Sequence, residues 1–383
     1  MAIYLDNAAT SFPKPPQVAA RMCEYLTQVG ATVNRSVYGP AQEAGLVTLT
    51  LRERLCRILG YGGRPTHAIL TGGNTAALNM VLQGWLKPGD HCLVSAMEHN
   101  AVMRPLIRLA EQGMTFDRIP CDGDGRMDPD DILPLLKPNT RLLVLAHGSN
   151  VSGAVQDAEA VGKICREHGI PFLLDAAQTA GHCPVDFDRF GCSALTVPGH
   201  KGLLGPGGIG GLLLAPAFAK ELDPLITGGT GSASHTEIQP DFLPDKFEAG
   251  TPNLPGIYGW EAALAYLEDV TVEAVRRHDL ALMTRFLSGL DGVSGVRLAG
   301  PRDPAQRVGV FSLDFWGQDN ALVGDRLEQE FGILTRCGLH CAPNAHKALG
   351  TYPQGTVRFS FGWFTTEEDV DRALEAIERI TRR

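Results

Sequence analysis

Short apolar runs alternate with stretches of helical periodicity through the first two-thirds of this 383-residue chain. "THAILTGG" runs into glycines and then into "NTAALNMVLQGWL", a strand, a turn and a helix in that order. "DHCLVSAMEHN" followed by "AVMRPLIRLAEQG" repeats the unit, and "TRLLVLAHGSN" supplies a third strand and loop. The helix "AVGKICREHG" closes at a glycine and leads into the strand "IPFLLDAAQ". "CSALTVPGHKG" and "GGIGGLLLAP" read as two more strands. This alternation predicts an α/β fold with a mainly parallel sheet covered by helices on both faces. Such sheets gather ligands at the carboxyl ends of their strands. Asn74, Thr75, His99, Asn150, Asp175, Gln178, His200 and Lys201 all fall at such ends.

The pattern changes after Asp223. From there to Pro255 the chain is rich in Gly, Pro, Ser and Thr, which predicts a connection between two domains. "IYGWEAALAYLEDV" then opens a long helical region. "RVGVFSLDFW", "TVRFSFGWF" and the amphipathic "TEEDVDRALEAIERITRR" predict a smaller α+β domain. Composition narrows the function: 44% hydrophobic and 20% charged residues make an ordinary globular chain. A net charge of −9 with no long basic run argues against nucleic acid as the main partner. No apolar run approaches the roughly 20 residues that span a bilayer. "MAIYLDNAATSFPKPP" lacks the basic and apolar regions of a signal peptide. The nine cysteines are scattered, without zinc-finger or disulfide spacing, as expected for reduced core residues of a cytoplasmic protein.

Candidate chemistry centres on Lys201, in the loop "TVPGHKGLLGPGGIGG". Gly205 to Gly210 fits G-x-G-x-x-G, but that fingerprint requires a helix after the glycines. Here "GGLLLAP" reads as a strand, and no G-K-S or G-K-T follows. The ordinary reading of Lys201 is a surface lysine. The functional one is an amine that reacts, which needs open space and loss of its charge; the neighbouring glycines are expected to provide the space. Asp175 is either an N-cap or a carboxylate paired with a protonated pyridine nitrogen, with Gln178 in reach of the same ligand. Gly72, Gly73, Asn74 and Thr75 stand at a helix N-terminus, where free N–H groups and the dipole favour phosphate; a plain helix cap is the alternative. His99 follows another strand, where an imidazole can stack on an aromatic ring. His200 either donates to an anion or is structural. A phosphate cradle, an aspartate, a stacking histidine and a loop lysine together describe pyridoxal phosphate.

The stretches "YLDNAATS", "TGGNTAALNMV", "MEHNAV", "HGSNVSGAVQD", "DAAQTAGHCPVDF", "GHKGLLGPGGIGGLLL", "EAGTPN", "RCGLHCAP" and "GTVRFSFGWFTTEEDVDRAL" run in this order from Tyr4 to Leu374. Through them the chain resembles the class V, fold-type-I pyridoxal-phosphate enzymes, and among these the cysteine desulfurase and selenocysteine lyase family. The resemblance implies a seven-stranded, mainly parallel sheet in a large domain of residues 15–257. Residues 1–14 and 258–383 would form the small α+β domain. It assigns Lys201 to the covalent link with the cofactor, Asp175 to the pyridine nitrogen, Gln178 to the ring hydroxyl and His99 to the ring face. Asn74, Thr75 and His200 would bind phosphate, joined by Thr251 from the neighbouring subunit of a homodimer. Asn150 and Arg358 would hold the substrate carboxylate, Arg358 as a bidentate partner, with Asn7, Ala8 and Arg336 also at the substrate. One position departs from the family: Pro198 stands where a phosphate-binding serine is usual, and proline donates no hydrogen bond.

"RCGLHCAPNAH" holds Cys337, His340, Cys341 and His346. Core thiols, a metal site and a nucleophile compete here, and C-x3-C is not a standard zinc spacing, so no metal is expected. Its small and polar residues predict an exposed loop in which Arg336 and His340 favour a thiolate. The resemblance puts the persulfide-forming cysteine at Cys341 and leaves Cys337 without a role. It implies that L-cysteine is converted to L-alanine, with sulfur held on Cys341 for an acceptor protein. Selenocysteine lyase, aminotransferase or C–S lyase chemistry would use the same Lys201 and Asp175, and a scaffold without catalysis would need neither.

Overall fold

The apolar runs of the first half assemble into one seven-stranded sheet in a computed structural model describing residues 2–33 and 37–382. After a two-residue strand β1 (Ile3–Tyr4), the sheet takes β2 (Ala68–Thr71), β3 (His91–Ser95), β4 (Thr115–Ile119) and β5 (Thr140–Ala146). It is completed by β6 (Phe172–Asp175), β7 (Ala194–Pro198) and β8 (Gly210–Leu214). The order is β2-β8-β7-β6-β5-β3-β4, and only β8 runs antiparallel to its neighbours. Six of these strands are the predicted runs. The seventh, β4, has no counterpart among them. It is an edge strand paired only to β3, and its "TFDRI" keeps Asp117 and Arg118 on a partly solvated surface, as edge strands do.

Helices cover both faces. Those of the large lobe are α1 (Pro16–Glu24), α2 (Gly39–Ile58), α3 (Asn74–Trp85), α4 (Asn100–Ala110) and α5 (Ala158–Glu167). They are joined by the short α6 (Phe187–Phe190) and α7 (Pro216–Glu221), and by α8 (Leu254–Val270). Strand β6 shows why its sequence reads as a continuous apolar run. Leu173 belongs to the core under α3 and α4, whereas Phe172 and Leu174 belong to the opposite core with Leu51, Leu55 and Trp260.

The small lobe is a four-stranded antiparallel sheet of order β12-β13-β10-β9. Its strands are β9 (Val296–Ala299), β10 (Val310–Phe315), β12 (Arg336–Gly338) and β13 (Thr356–Ser360); β11 (Ile333–Leu334) instead pairs in parallel with β1. α9 (Val272–Leu290), α10 (Asn320–Phe331), α11 (Pro343–Ala348) and α12 (Glu367–Thr381) complete it. Phe286, Phe311, Phe359 and Ile377 form its core, and Ile3 and Leu5 of the N-terminal segment are buried among them. No helix among the described residues is long and apolar enough to cross a membrane.

The segment from Asp223 to Pro255 does not join two domains. Phe218 before it and Phe247 within it share one core of the large lobe, while Leu254 near its end and Ile257 and Trp260 after it lie in the other. Glu248 binds Arg52 through both carboxylate oxygens and accepts from the Leu70 N–H at 2.6 Å. The segment therefore folds back over the large lobe, and the chain leaves for the small lobe only after α8, beyond the boundary at residue 257. Glycine and proline reported a lack of regular structure, not a lack of packing.

Four of the glycines around Lys201 (Gly199, Gly202, Gly205 and Gly210) serve close contact rather than open space. A Cβ on Gly205 would enter the Trp260 indole, and one on Gly210 would lie 2.8 Å from Gly73 Cα. Gly207 has no heavy atom within 4 Å of its Cβ position. Gly205→Ala should therefore destabilise the fold by about 1–3 kcal/mol, the usual cost of overpacking, while Gly207→Ala is near neutral. Urea denaturation of both variants checks this, and equal losses would contradict the packing argument.

Candidate active site

The carboxyl ends of β2, β3, β5, β6 and β7 open on one cavity of about 350 Å³. Asn74, Thr75, His99, Asn150, Asp175, Gln178, His200 and Lys201 line it, as does Pro198. Arg336 of β12 and Arg358 of β13 close it from the small lobe, and Ala8 enters from the N-terminal segment. Asn7 lies just behind. Its amide donates to the Ser360 carbonyl at 3.1 Å, and its oxygen accepts from the Phe12 N–H.

No helix begins at Asp175, so the capping role is not realised. Its Oδ1 accepts from Asn74 Nδ2 at 2.9 Å and from the Ala177 N–H at 3.0 Å. Burial raises the pKa of this carboxyl against the pull of those donors and of Lys201. The Asn74 amide is thereby committed to Asp175, and what α3 offers an anion is the free backbone N–H groups of its first turn. Gln178 donates to the Ala8 carbonyl at 3.1 Å. His99 caps α4, its Nδ1 accepting from the Ala101 N–H at 3.0 Å. Burial, then the Lys201 charge, pulls its pKa down to about 4, so the ring is neutral with its proton on Nε2.

The Lys201 amine forms no hydrogen bond or ion pair among the described residues. Burial lowers its pKa to about 8, helped by Arg358 and Arg336 and opposed by Asp175. The carbonyl of the preceding His200 is held by the N–H of Ser11 (2.9 Å), the hydroxyls of Thr10 and Ser11, and Lys14 Nζ (2.7 Å). Arg358, 1% exposed, donates through Nη2 to Asp6 Oδ1 at 2.6 Å and through Nη1 to the Asn150 carbonyl at 3.3 Å. The amide of Asn150 reaches the His340 carbonyl at 2.6 Å.

The stretch around Cys341 is only partly the exposed loop expected. Cys337 lies in β12, half-buried against Gly324, and burial pushes its thiol up. His340 is buried, bonds Thr356 Oγ1 at 3.0 Å and is driven down to about 2 by burial and by Arg358. It is neutral and lends no positive charge to a thiolate. Cys341 alone is exposed, with Arg336 Nη2 donating to its Sγ at 3.4 Å. His340 and Cys341 are consecutive non-glycine residues at φ of 47° and 60°, a strained backbone of the kind found at functional sites. Thr251 lies outside the cavity, on a neighbouring one of about 470 Å³ that touches the first at Gly72, Ala76 and Ile209.

The model of the class-V aminotransferases matches residues 3–373. This chain belongs to the class-V aminotransferase family. It is similar to a probable cysteine desulfurase of Methanothermobacter thermautotrophicus, at 33% identity over 99% of this chain and 94% of that protein. A cysteine desulfurase of Klebsiella pneumoniae is also 33% identical, over 99% of this chain and 93% of its own. The apo structure of the cysteine desulfurase from Thermococcus onnurineus superposes with a TM-score of 0.92 at 32% identity, covering 100% of this chain and 95% of that one. The fold is therefore pyridoxal-phosphate fold type I.

Class-V aminotransferases carry pyridoxal phosphate, and the residues present fit it. Asp175 is a buried carboxylate whose Oδ2 has no protein donor among the described residues, suited to a protonated ring nitrogen. The first turn of α3 is suited to the phosphate, and the unpaired Lys201 amine opens on the space between. Sequence reasoning missed Asp6, Lys14 and Glu98. No local pattern marks Lys14, whose partner His200 is 186 residues away. Glu98 hid beside His99; it is buried, accepts from Ser95 Oγ and the Ala146 N–H, and is raised by burial to about 8. Asp6 stood in view within "YLDNAATS", but its arginine lies on the last strand.

A lowered Lys201 pKa has a direct consequence. At pH 7 its neutral fraction exceeds that of a free lysine roughly a hundredfold or more. Competitive acetylation of the apoprotein, followed by mass spectrometry, should give Lys201 a labelling midpoint near pH 8, rising with pH as the proton leaves. A midpoint above pH 10 would contradict the burial argument.

Proposed function

We propose that this chain is a pyridoxal-phosphate-dependent cysteine desulfurase, forming L-alanine from L-cysteine and holding the sulfur on Cys341. The observation that carries this reading is an exposed thiol in a cleft that adjoins the cavity containing Lys201 and Asp175. An aminotransferase has no use for that thiol. The cysteine desulfurases among its relatives support the same choice.

Bound pyridoxal phosphate supplies an electron sink for the substrate α-carbon. Asp175 would keep the ring nitrogen protonated, and His99, a neutral imidazole on the cavity wall, would face the ring. Thr75, the backbone N–H of Asn74 and His200 would hold the phosphate, without help from Pro198. Arg358 and Arg336 draw the substrate carboxylate into the cavity, and Asn150 and Asp6 fix the Arg358 guanidinium for it. Gln178, Asn7 and Ala8 shape the remaining wall. Lys201, neutral in useful amount near pH 8, takes the α-proton. The Cys341 thiolate then attacks the substrate sulfur: the new S–S bond forms as the C–S bond breaks, leaving a persulfide on Cys341.

A homodimer completes the site in this reading. The cavity that holds Thr251 is bordered by the exposed Leu49 and Ile226, and exposed apolar patches mark contact surfaces. Thr251→Ala should weaken cofactor retention by about 1–3 kcal/mol, the cost of leaving a buried acceptor unpaired. Equilibrium dialysis with sedimentation checks this; a monomer that holds the cofactor normally sinks the composite site.

Cys341→Ala should retain the yellow cofactor yet release almost no alanine from L-cysteine. Cys337→Ala should turn over like the parent, because its thiol is packed against α10. Alanine assay with peptide mass spectrometry decides the matter. Full activity in Cys341→Ala, or a persulfide on Cys337, overturns the assignment.

A further inference from the structure

A second cleft, of about 370 Å³, opens on the outer side of Cys341 and meets the first cavity at Thr75, His99 and Ala101. Arg104 and Arg108 stand on its α4 wall, and Asn79 and Gln83 of α3 on another. Both arginines are exposed, and neither has a hydrogen-bond or ion-pair partner among the described residues. Several other helix arginines of this chain are ion-paired, Arg326 with Glu330 and Arg379 with Glu375 one turn away and Arg54 with Glu261 of α8. Helix α4, "NAVMRPLIRLA", contains no acid at all. Two like charges four residues apart repel, and no ion pair among the described residues offsets that repulsion. The result is a local cationic wall on a protein of net charge −9, directly beside an exposed thiol.

Cys341 lines this cleft, so sulfur held on its thiol is reachable from it. We propose that the cleft binds the sulfur acceptor, a small thiol bearing carboxylates, with Arg104 and Arg108 as its anion contacts. This rests on the desulfurase reading of Cys341. The cleft volume lies within the roughly 300–1,000 Å³ of small-molecule sites. The acceptor sulfur attacks the outer sulfur of the persulfide. A new S–S bond forms, the bond to Cys341 Sγ breaks, and the acceptor's thiol proton ends on Cys341. The acceptor leaves as a persulfide, and no oxidant or reductant is consumed.

Two measurements on the holoenzyme test the proposal. In the first, Cys341 is alkylated with iodoacetate, an anion, and with neutral iodoacetamide. The ratio of the two rates should fall about tenfold in Arg104→Gln/Arg108→Gln, the combined effect expected of two exposed ion pairs, and recover in Arg104→Lys/Arg108→Lys. Succinate should slow iodoacetate labelling in the parent. In the second, turnover of L-cysteine is followed with mercaptosuccinate or 2-mercaptoethanol as acceptor. The preference for mercaptosuccinate in kcat/KM should fall about tenfold in the glutamine variant. A parent that forms alanine but shows no preference for mercaptosuccinate, or a labelling ratio unchanged by the glutamines, overturns the acceptor cleft and leaves the desulfurase reading standing. A parent that forms no alanine overturns that reading, and the acceptor with it.

Discussion

The active-site geometry depends on how residues 6–14 are held between the two lobes. β1 is a strand of the small lobe, and from its end the chain passes straight into the cavity wall. Asp6 takes Arg358, the Ala8 N–H takes the Ser360 hydroxyl, and the Ala8 carbonyl takes Gln178 of the large lobe. The segment then clamps the carbonyl of His200 with donors from Thr10, Ser11 and Lys14. A carbonyl surrounded by four donors fixes the peptide that carries Lys201. The same short segment thus positions the cation of one lobe and the amine of the other, and neither can shift without breaking its bonds.

That arrangement concentrates positive charge in a buried place. Lys201, Arg336 and Arg358 face one cavity with Asp175 and Asp6 as counter-charges. Burying unmatched cations is costly, and the neighbouring histidines avoid adding to them. His99 and His200 are held down to about 4 and His340 to about 2, in each case by burial first and then by nearby cations. All three are therefore neutral rings at physiological pH, His99 bonded to the Ala101 N–H and His340 to the Thr356 hydroxyl. Glu98, raised by burial, stays protonated behind Asp175 and leaves the carboxylate charge to it.

Much of this was legible in the sequence, for identifiable reasons. Buried parallel strands are continuous apolar runs, so β3, β5, β6 and β7 announced themselves, and the residues at their carboxyl ends followed from the topology rule. What stayed hidden is contact made across long separations. The Lys14 and Asp6 contacts span 186 and 352 residues, and β4 lacks the apolar pattern because it lies at an edge. Composition also misled where it was read as openness: four of the glycines near Lys201 are packed, and the Asp223–Pro255 segment is anchored by Glu248 and Phe247.

The Cys341 turn shows how the two lobes set the position of the thiol. Two successive residues at positive φ cost of the order of 1–3 kcal/mol each, so the turn persists only if its surroundings over-determine it. They do so through its carbonyls: Asn150 of the large lobe donates to His340, and the N–H of Asn100, first residue of α4, donates to Cys341 at 2.8 Å. His340 is locked to β13 through Thr356. The cysteine is therefore pinned by both lobes at once, while its side chain stays exposed. The Asn150 carbonyl bonds Arg358 as well, so one residue couples the cation at the back of the cavity to the thiol in the adjoining cleft. Arg358 and the Cys341 turn thus share Asn150 as a common hydrogen-bond partner, which ties the geometry of one end of the site to that of the other.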